Sequence, residues 1–327
     1  MIDCLNDQQW SEYQRQGYLR LGSVLDAAEI AALQRRIDAI MLGEIRYPSL
    51  QYQLDTGGAY EDLPDPDARG AGATLKYRKL QGLEADPLVL GVIDRPLFGD
   101  ICSRHYGEHA SISIFRAMLM NKPASQGTHL PWHQDGGDVW KLDRDPLVTT
   151  WIALDRATRL NGCVEVIPGT HRLGLLTTSG STLRPEDVER YCPEEAIEYL
   201  EIEAGECLLL HNWLVHRSGV NRTDTPRRAL SACYMDARTV STLTGNGFPI
   251  VFGDESSATK RWAFVEELTA ENRRLRESAA EAERYARSLA EHAERLEQMR
   301  REAEQYAKSL EGELTRLRAS LTRAEPS

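Results

Sequence analysis

No two of the six cysteines, at positions 4, 102, 163, 192, 207 and 233, form a Cys-x-x-Cys unit. That excludes a zinc knuckle and argues against a disulfide framework. Free thiols in a reducing compartment are the expectation instead. No stretch approaches the roughly 18 consecutive apolar residues of a membrane span. The opening Met1-Ile2-Asp3-Cys4-Leu5-Asn6 lacks a basic region followed by an apolar run, so the chain reads as cytoplasmic, with no membrane association. Basic charge is also short: 39 Lys and Arg stand against 50 Asp and Glu, a formal charge of −11. Phosphate backbones are gripped by clustered Lys and Arg, so the charge balance argues against nucleic acid as a general partner. No glycine-rich, phosphate-cradling loop is present, and no dense basic patch for a coenzyme A tail.

What is present is His133-Gln134-Asp135, answered far downstream by His216 in His216-Arg217-Ser218-Gly219-Val220-Asn221. Two imidazoles and one carboxylate on a β scaffold hold ferrous iron on one face and leave the opposite face open. In an extended strand, residues 133 and 135 point the same way while Gln134 faces elsewhere, so the tripeptide works as a two-toothed clamp. The third ligand must come from another strand, and His216 supplies it; His211, five residues earlier, is its rival. Arg227 in Pro226-Arg227-Arg228-Ala229-Leu230 follows His216 by eleven residues. A guanidinium there suits the distal carboxylate of a keto-acid cosubstrate, which it can engage bidentately. Strand alternation allows only one of Arg227 and Arg228 to point inward, and spacing favours Arg227.

The stretch from Asn121 to Asp236 resembles the phytanoyl-CoA dioxygenase family of Fe(II)/2-oxoglutarate oxygenases. The matching segments run in order: Lys122-Pro123, Trp132-His133-Gln134-Asp135, Thr150 to Asp155, Asn161 to Arg172, and His216-Arg217-Ser218-Gly219 with Asn221 and Arg227. The opening fits as well, with a helix over Asn6 to Tyr13, a strand at Gly17-Tyr18-Leu19 and a helix over Ala27 to Met41. The resemblance covers about residues 1–250 and implies that His133, Asp135 and His216 bind Fe(II). It implies that Arg227 holds 2-oxoglutarate, with Ser218 and Trp151 as neighbours on the cosubstrate side. His171 and Arg172 read equally as loop structure or as substrate contacts. Related halogenases replace the carboxylate ligand by a small residue; Asp135 is present, so the resemblance implies hydroxylation of a C–H bond by O2, releasing succinate and CO2.

The fold expected is mainly β with flanking helices: a double-stranded β-helix, or jelly roll of cupin-like form, over residues 1–255. That architecture follows mostly from the resemblance; the strand periodicity agrees with it. Leu75 to Leu80 and Ala110 to Met120 read as strands and Pro87 to Tyr106 as a helix. Tyr77 and Lys79 share a face by alternation, so either lines the pocket. Tyr47 to Thr74, rich in Gly, Pro and Asp, reads as an active-site lid or a surface insertion.

Residues 256–327 read as a helical coiled coil. From Leu268 the residues Leu275, Ala282, Leu289, Leu296, Ala303, Leu310 and Leu317 recur every seven positions, and a second apolar position begins at Val265. Glu281 to Leu289 recurs as Glu302 to Leu310, three heptads on. A sustained heptad marks a coiled coil, and Asn272 within it favours a parallel dimer in fixed register. A solitary charged helix held by Glu and Arg pairs is the competing reading, and a coiled coil on a partner enzyme is a third. Two functions are thus in view. One is a small-molecule hydroxylase acting on a secondary metabolite or glycan precursor; the other is a catalytically retired oxygenase domain serving as a scaffold.

Overall fold

A computed structural model describes residues 4–322 apart from 69, 126, 178–181 and 254, with side chains of the last helix described at 274 and 277–316. In chain order the helices and strands are α1 (Asp7–Gln16), β1 (Tyr18–Ser23), α2 (Ala27–Met41), β2 (Gln51–Leu54), β3 (Tyr77–Gln81), α3 (Pro87–Ile93), α4 (Pro96–Tyr106), β4 (Ile112–Lys122) and β5 (Leu130–His133). There follow β6 (Val148–Ala153), β7 (Val164–Val166), α5 (Pro185–Tyr191), β8 (Glu198–Leu200), β9 (Glu206–His211), β10 (His216–Ser218), β11 (Arg227–Asp236), β12 (Ile250–Phe252) and α6 (Glu255–Thr322). The strands form an antiparallel sheet in the order β1-β9-β6-β11-β4-β3-β2, with β12 beside β4, and a second sheet β5-β10-β7-β8. One face of the large sheet packs on the helices through Leu33, Ile37, Phe98, Ile101, Leu119 and Leu230; the other face lines the site.

Two strand irregularities decide which side chains reach that site. On β4 the pairing with β11 jumps from Cys233↔Arg116 to Tyr234↔Ile114, leaving Phe115 as the extra residue. Ile112 and Ile114 therefore lie in the helix-side core with Ala117 and Leu119, while Arg116, Met118 and Met120 face the cavity. On β3 the pairing with β2 skips Arg78. Such a bulge re-aims one side chain, so Arg78 and Lys79 both line the cavity. Tyr77 instead turns away, its hydroxyl donating to the Gly72 carbonyl at 2.6 Å.

The expected single helix over Pro87 to Tyr106 is two helices. Pro96 lacks the N–H that would continue the first, and Asp86 caps α3 by accepting from Leu88 N and Val89 N at 2.9 and 3.2 Å. The stretch from Tyr47 to Thr74 is not a free loop: it contains edge strand β2, and Asp55 beyond it accepts from Thr128 N and Oγ1 at 2.9 and 2.8 Å. Its Tyr60 and Pro66 face the cavity.

Behind β9, three histidines pack together: His211 lies 5.8 Å from His105 and 4.9 Å from His171, ring centroid to centroid. His171 Nε2 bonds the Gln14 carbonyl at 3.0 Å beneath Gly17, whose φ of +81° and closeness to His171 leave no room for a Cβ. His171 thus closes α1 onto the sheet. Burial, reinforced by the other two rings, pushes His211 down to about 3, and burial pushes His105 down to about 4. The unfolded chain protonates both near pH 6.5 while the folded one keeps them neutral, so stability is present above pH 6.5 and drains as pH falls toward 4. Denaturant midpoints measured across that window should drop steeply; a flat profile contradicts the buried-neutral assignment.

Residues 1–268 and 269–327 form two compact units. The second belongs to α6, whose described residues expose Tyr285, Leu289, Leu296, Tyr306, Leu310 and Leu314 between ion pairs such as Arg287–Glu283 at 3.8 Å and Arg300–Glu297 at 2.8 Å. No helix among the described residues is long and apolar enough to cross a membrane.

Candidate metal and cosubstrate site

Strand β10 sets His216 directly opposite His133 of β5, so the two rings meet at 4.0 Å between centroids. Asp135 stands two residues past His133, just beyond the end of β5, and its N–H donates to the Asn212 carbonyl at 2.8 Å. The clamp is thus a strand end followed by a turn, where an uninterrupted strand was expected. Ligand atoms of His133, Asp135 and His216 all lie within 4.8 Å of one another, and His216 Nε2 is 4.0 Å from Asp135 Oδ2.

Each imidazole is aimed by its other nitrogen. His133 Nδ1 bonds the Pro131 carbonyl at 2.9 Å and His216 Nδ1 the Leu214 carbonyl at 2.8 Å. A carbonyl partner fixes the proton on Nδ1 and leaves the Nε2 lone pair for a metal. Burial, then the His216 ring, pushes His133 down to about 3. Burial alone would raise Asp135, but His216, His133, Arg116 and Lys79 together hold it below the usual carboxylate range. His133 is thus a neutral nitrogen donor and Asp135 an ionised oxygen donor, the states in which a divalent cation binds them.

Gln134, fully buried, keeps the turn in place. Its Nε2 donates to the Gly174 and Trp213 carbonyls at 2.8 and 2.7 Å, and its Oε1 accepts from Leu176 N at 2.7 Å. Gln134→Leu leaves two carbonyls and one N–H, on half-buried residues, without this partner, a cost of about 1–3 kcal/mol. Equilibrium denaturation of the iron-free protein measures it; a loss below about 1 kcal/mol would mean that the turn holds itself.

His133, Asp135 and His216 open onto a cavity of about 450 Å³ that also takes in Trp151, Ser218 and Arg227. Arg227 is 4% exposed and its Nε has no hydrogen-bond partner. Among the described residues its one hydrogen bond runs 3.4 Å from Nη1 to the Met120 carbonyl, and the guanidinium carbon sits 5.2 Å from the Trp151 ring centroid. Burial pushes its pKa down to about 10. Arg228 points to the other side: Nε and Nη2 clasp Asp155 at 2.9 and 3.0 Å, and Nη1 reaches Asp38 at 2.7 Å. Of the two arginines, only Arg227 lines the cavity. His211 and His171 lie outside it, in the three-histidine cluster.

Sequence reasoning missed Arg116, which lines the cavity, and took Lys79 only as one of two alternatives. The bulge at Phe115 hides Arg116, since strict alternation puts it with Ile112 and Ile114. A lone charge in the otherwise apolar series Ile112, Ile114, Met118, Met120 was the signal available.

The sequence model of the family described as phytanoyl-CoA dioxygenase matches residues 13–229. The probable phytanoyl-CoA dioxygenase of Caenorhabditis elegans is 26% identical over 241 residues, covering 70% of this chain and 75% of that protein. The peroxisomal phytanoyl-CoA dioxygenase of Homo sapiens is 24% identical over 252 residues, 72% of this chain and 70% of that one. Among solved structures, EctD from S. alaskensis with 2-oxoglutarate and 5-hydroxyectoine superimposes with a TM-score of 0.55 at 20% identity, covering 72% of this chain and 78% of its own. The carbocyclase SnoK from nogalamycin biosynthesis gives 0.56 at 19% identity, with 72% and 86% covered. These likenesses show the β-helix fold, and the family match ends before α6 begins. By that match, the chain belongs to the phytanoyl-CoA dioxygenase family, a group of iron(II)- and 2-oxoglutarate-dependent oxygenases.

Proposed function

We propose that this chain is an Fe(II)/2-oxoglutarate-dependent dioxygenase that hydroxylates a C–H bond of a small-molecule metabolite. The observation that carries the reading is the joint presence, in one cavity, of an aimed His-Asp-His set and a buried arginine that, among the described residues, makes no ion pair and leaves its Nε unpartnered. His133, Asp135 and His216 would hold the iron. Arg227 would take the far carboxylate of 2-oxoglutarate, with Trp151 holding the guanidinium from one side and the Ser218 hydroxyl close by. The residues present therefore fit both groups. When bound, they supply the oxidation itself: one oxygen atom of O2 enters the substrate as a hydroxyl, the other enters succinate, and the cosubstrate loses CO2. The chain's own contribution is to orient: two carbonyl-anchored imidazoles, one ionised carboxylate and a desolvated cation fix where each group lies before O2 arrives.

Succinate release with Fe(II) and 2-oxoglutarate, measured across a metabolite panel, tests the activity. Iron binding without any uncoupled or substrate-driven turnover would favour the retired-scaffold reading, which the intact ligand set opposes. A secondary metabolite or glycan precursor is the substrate class we favour. Its place is the cytoplasm, in keeping with the buried free thiols of Cys102, Cys163, Cys207 and Cys233.

The helix α6 we assign to assembly, as a parallel homodimer seam, because its heptad-spaced leucines are exposed in the single chain and a/d burial needs a second helix. Removing residues 262–327 should lower the solution mass to that of the monomer while leaving iron binding intact, as light scattering and metal titration would show. An unchanged oligomer contradicts the seam, and lost iron binding would make the helix part of the catalytic fold.

A further inference from the structure

The cavity holds more positive charge than iron and 2-oxoglutarate can use. Asp135 is its one carboxylate among the lining residues described, against Arg78, Lys79, Arg116, Arg217 and Arg227. Arg217 is matched by Glu165, Nε to Oε2 at 2.8 Å. A ferrous ion and Arg227 together balance Asp135 and the two carboxylates of 2-oxoglutarate. Arg78 donates to Gln53 Oε1 at 2.8 Å and has Asp55 nearby as a partial offset. Arg116 remains, with Lys79, which burial and then Arg116 and Arg78 push down to about 7, so that an arriving anion would hold its proton in place; among the described residues no carboxylate pairs with either, and both act on the metal ligand Asp135.

Their placement is specific. Lys79 stands opposite Met120 on the neighbouring strand, and Arg116 lies further along that strand on the same inward face. The Arg116 guanidinium is fixed by the rings of Phe115 and Trp140, 4.9 and 4.3 Å from their centroids, yet its buried Nε has no partner. Stacking holds the cation in position and leaves its hydrogen-bond donors unspent. Arg116 is half-buried, and a cation held in a cavity wall with an open donor and no counterion is a ready partner for an anionic ligand.

We propose that Arg116 and Lys79 form an anion subsite for the substrate, so that the molecule oxidised is a small organic acid or phosphate monoester. Its anionic group sits between these two side chains, and its apolar body lies along Met118, Met120 and Trp140 toward the metal ligands. Arg116 and Lys79 then select substrates by charge and fix which C–H bond faces the iron. The inference rests on the oxygenase reading above and refines it.

The test uses the full-length protein loaded with Fe(II) and saturating 2-oxoglutarate without oxygen, titrated with matched pairs: benzoate and benzamide, phenyl phosphate and phenol. Tryptophan fluorescence reports binding beside Trp140. The charged member of at least one pair should bind saturably, about 10-fold or more tightly than its neutral partner. Arg116→Gln and Lys79→Met should each weaken that anion about 10-fold and leave the neutral compound unaffected, while Arg116→Lys restores most of the loss. Preference for benzoate indicates an organic acid, and preference for phenyl phosphate a phosphorylated substrate. Equal binding of charged and neutral members, anion binding that survives both substitutions, or no saturable anion binding at all overturns the proposal. The visible band that forms when 2-oxoglutarate joins the iron is read separately. Its absence sinks the oxygenase reading, whereas the same titration on iron-free protein still reports on Arg116 and Lys79.

Discussion

Replacing Asp135 with alanine is expected to weaken Fe(II) binding by more than about 100-fold and to remove succinate release to the same degree, since partners one layer outside a metal are already worth ~10–100-fold. Asp135 is the one anionic ligand, and it stays ionised because His216, His133, Arg116 and Lys79 outweigh the effect of its burial. Without it the same surroundings become a cluster of imidazoles and cations that repels a divalent ion. The fold should survive, because the Asp135 contact that shapes the turn is a main-chain one, N–H to the Asn212 carbonyl. Anaerobic iron titration and circular dichroism together separate the two effects. The vacated position should also admit chloride, so chloride should perturb the spectrum of residual iron in the variant and not in the parent. Parental iron affinity in Asp135→Ala would place the metal elsewhere.

Arg227→Met and Arg228→Met should have opposite signatures, although the residues are adjacent. Arg227 is desolvated, its Nε is unpartnered, and Lys122 stands beside it in the register. Exchanging it for a long apolar side chain should leave the cosubstrate-free protein as stable or about 1–3 kcal/mol more stable. Meanwhile the 2-oxoglutarate requirement rises about 10–100-fold, the value of a charge-assisted pair. Arg228 neutralises Asp155 and Asp38. Its loss leaves Asp155, 19% exposed at the side chain, without its cation, although the position-228 N–H and the Gln34 amide still donate to it, and should cost about 1–3 kcal/mol. Its effect on 2-oxoglutarate should be small. Thermal unfolding of the two cosubstrate-free variants, set beside 2-oxoglutarate titrations of each, gives the comparison. Swapped results would move the cosubstrate role to Arg228.

That only one of these neighbours faces inward was legible from alternation, since side chains at adjacent strand positions face opposite ways; it was the spacing from His216 that favoured Arg227. The metal set was legible for a similar reason: polar residues of one chemical kind stand at positions that must converge if the strands pair. What the sequence concealed was every departure from regular alternation. The unpaired Phe115 reverses the facing of β4 halfway along, and the bulge at Arg78 brings two consecutive cations to one side. Neither has a glycine or proline to mark it. The division of Pro87 to Tyr106 was legible in Pro96, which cannot continue a helix, but the apolar period on both sides masked it. Edge strand β2 alternates polar and apolar residues, but its four residues are too few to stand out beside the Gly-, Pro- and Asp-rich stretch that follows. The long helix α6, by contrast, was legible because its Glu-, Arg-, Ala- and Leu-rich composition runs on without a proline until position 326.

A structure grown anaerobically with Fe(II) and 2-oxoglutarate tests the central claim most directly. One ion should lie within bonding reach of His133 Nε2, the Asp135 carboxylate and His216 Nε2, with the far carboxylate of 2-oxoglutarate on Arg227. An ion bound away from any of those three side chains, or a cosubstrate whose carboxylate ignores Arg227, would contradict it.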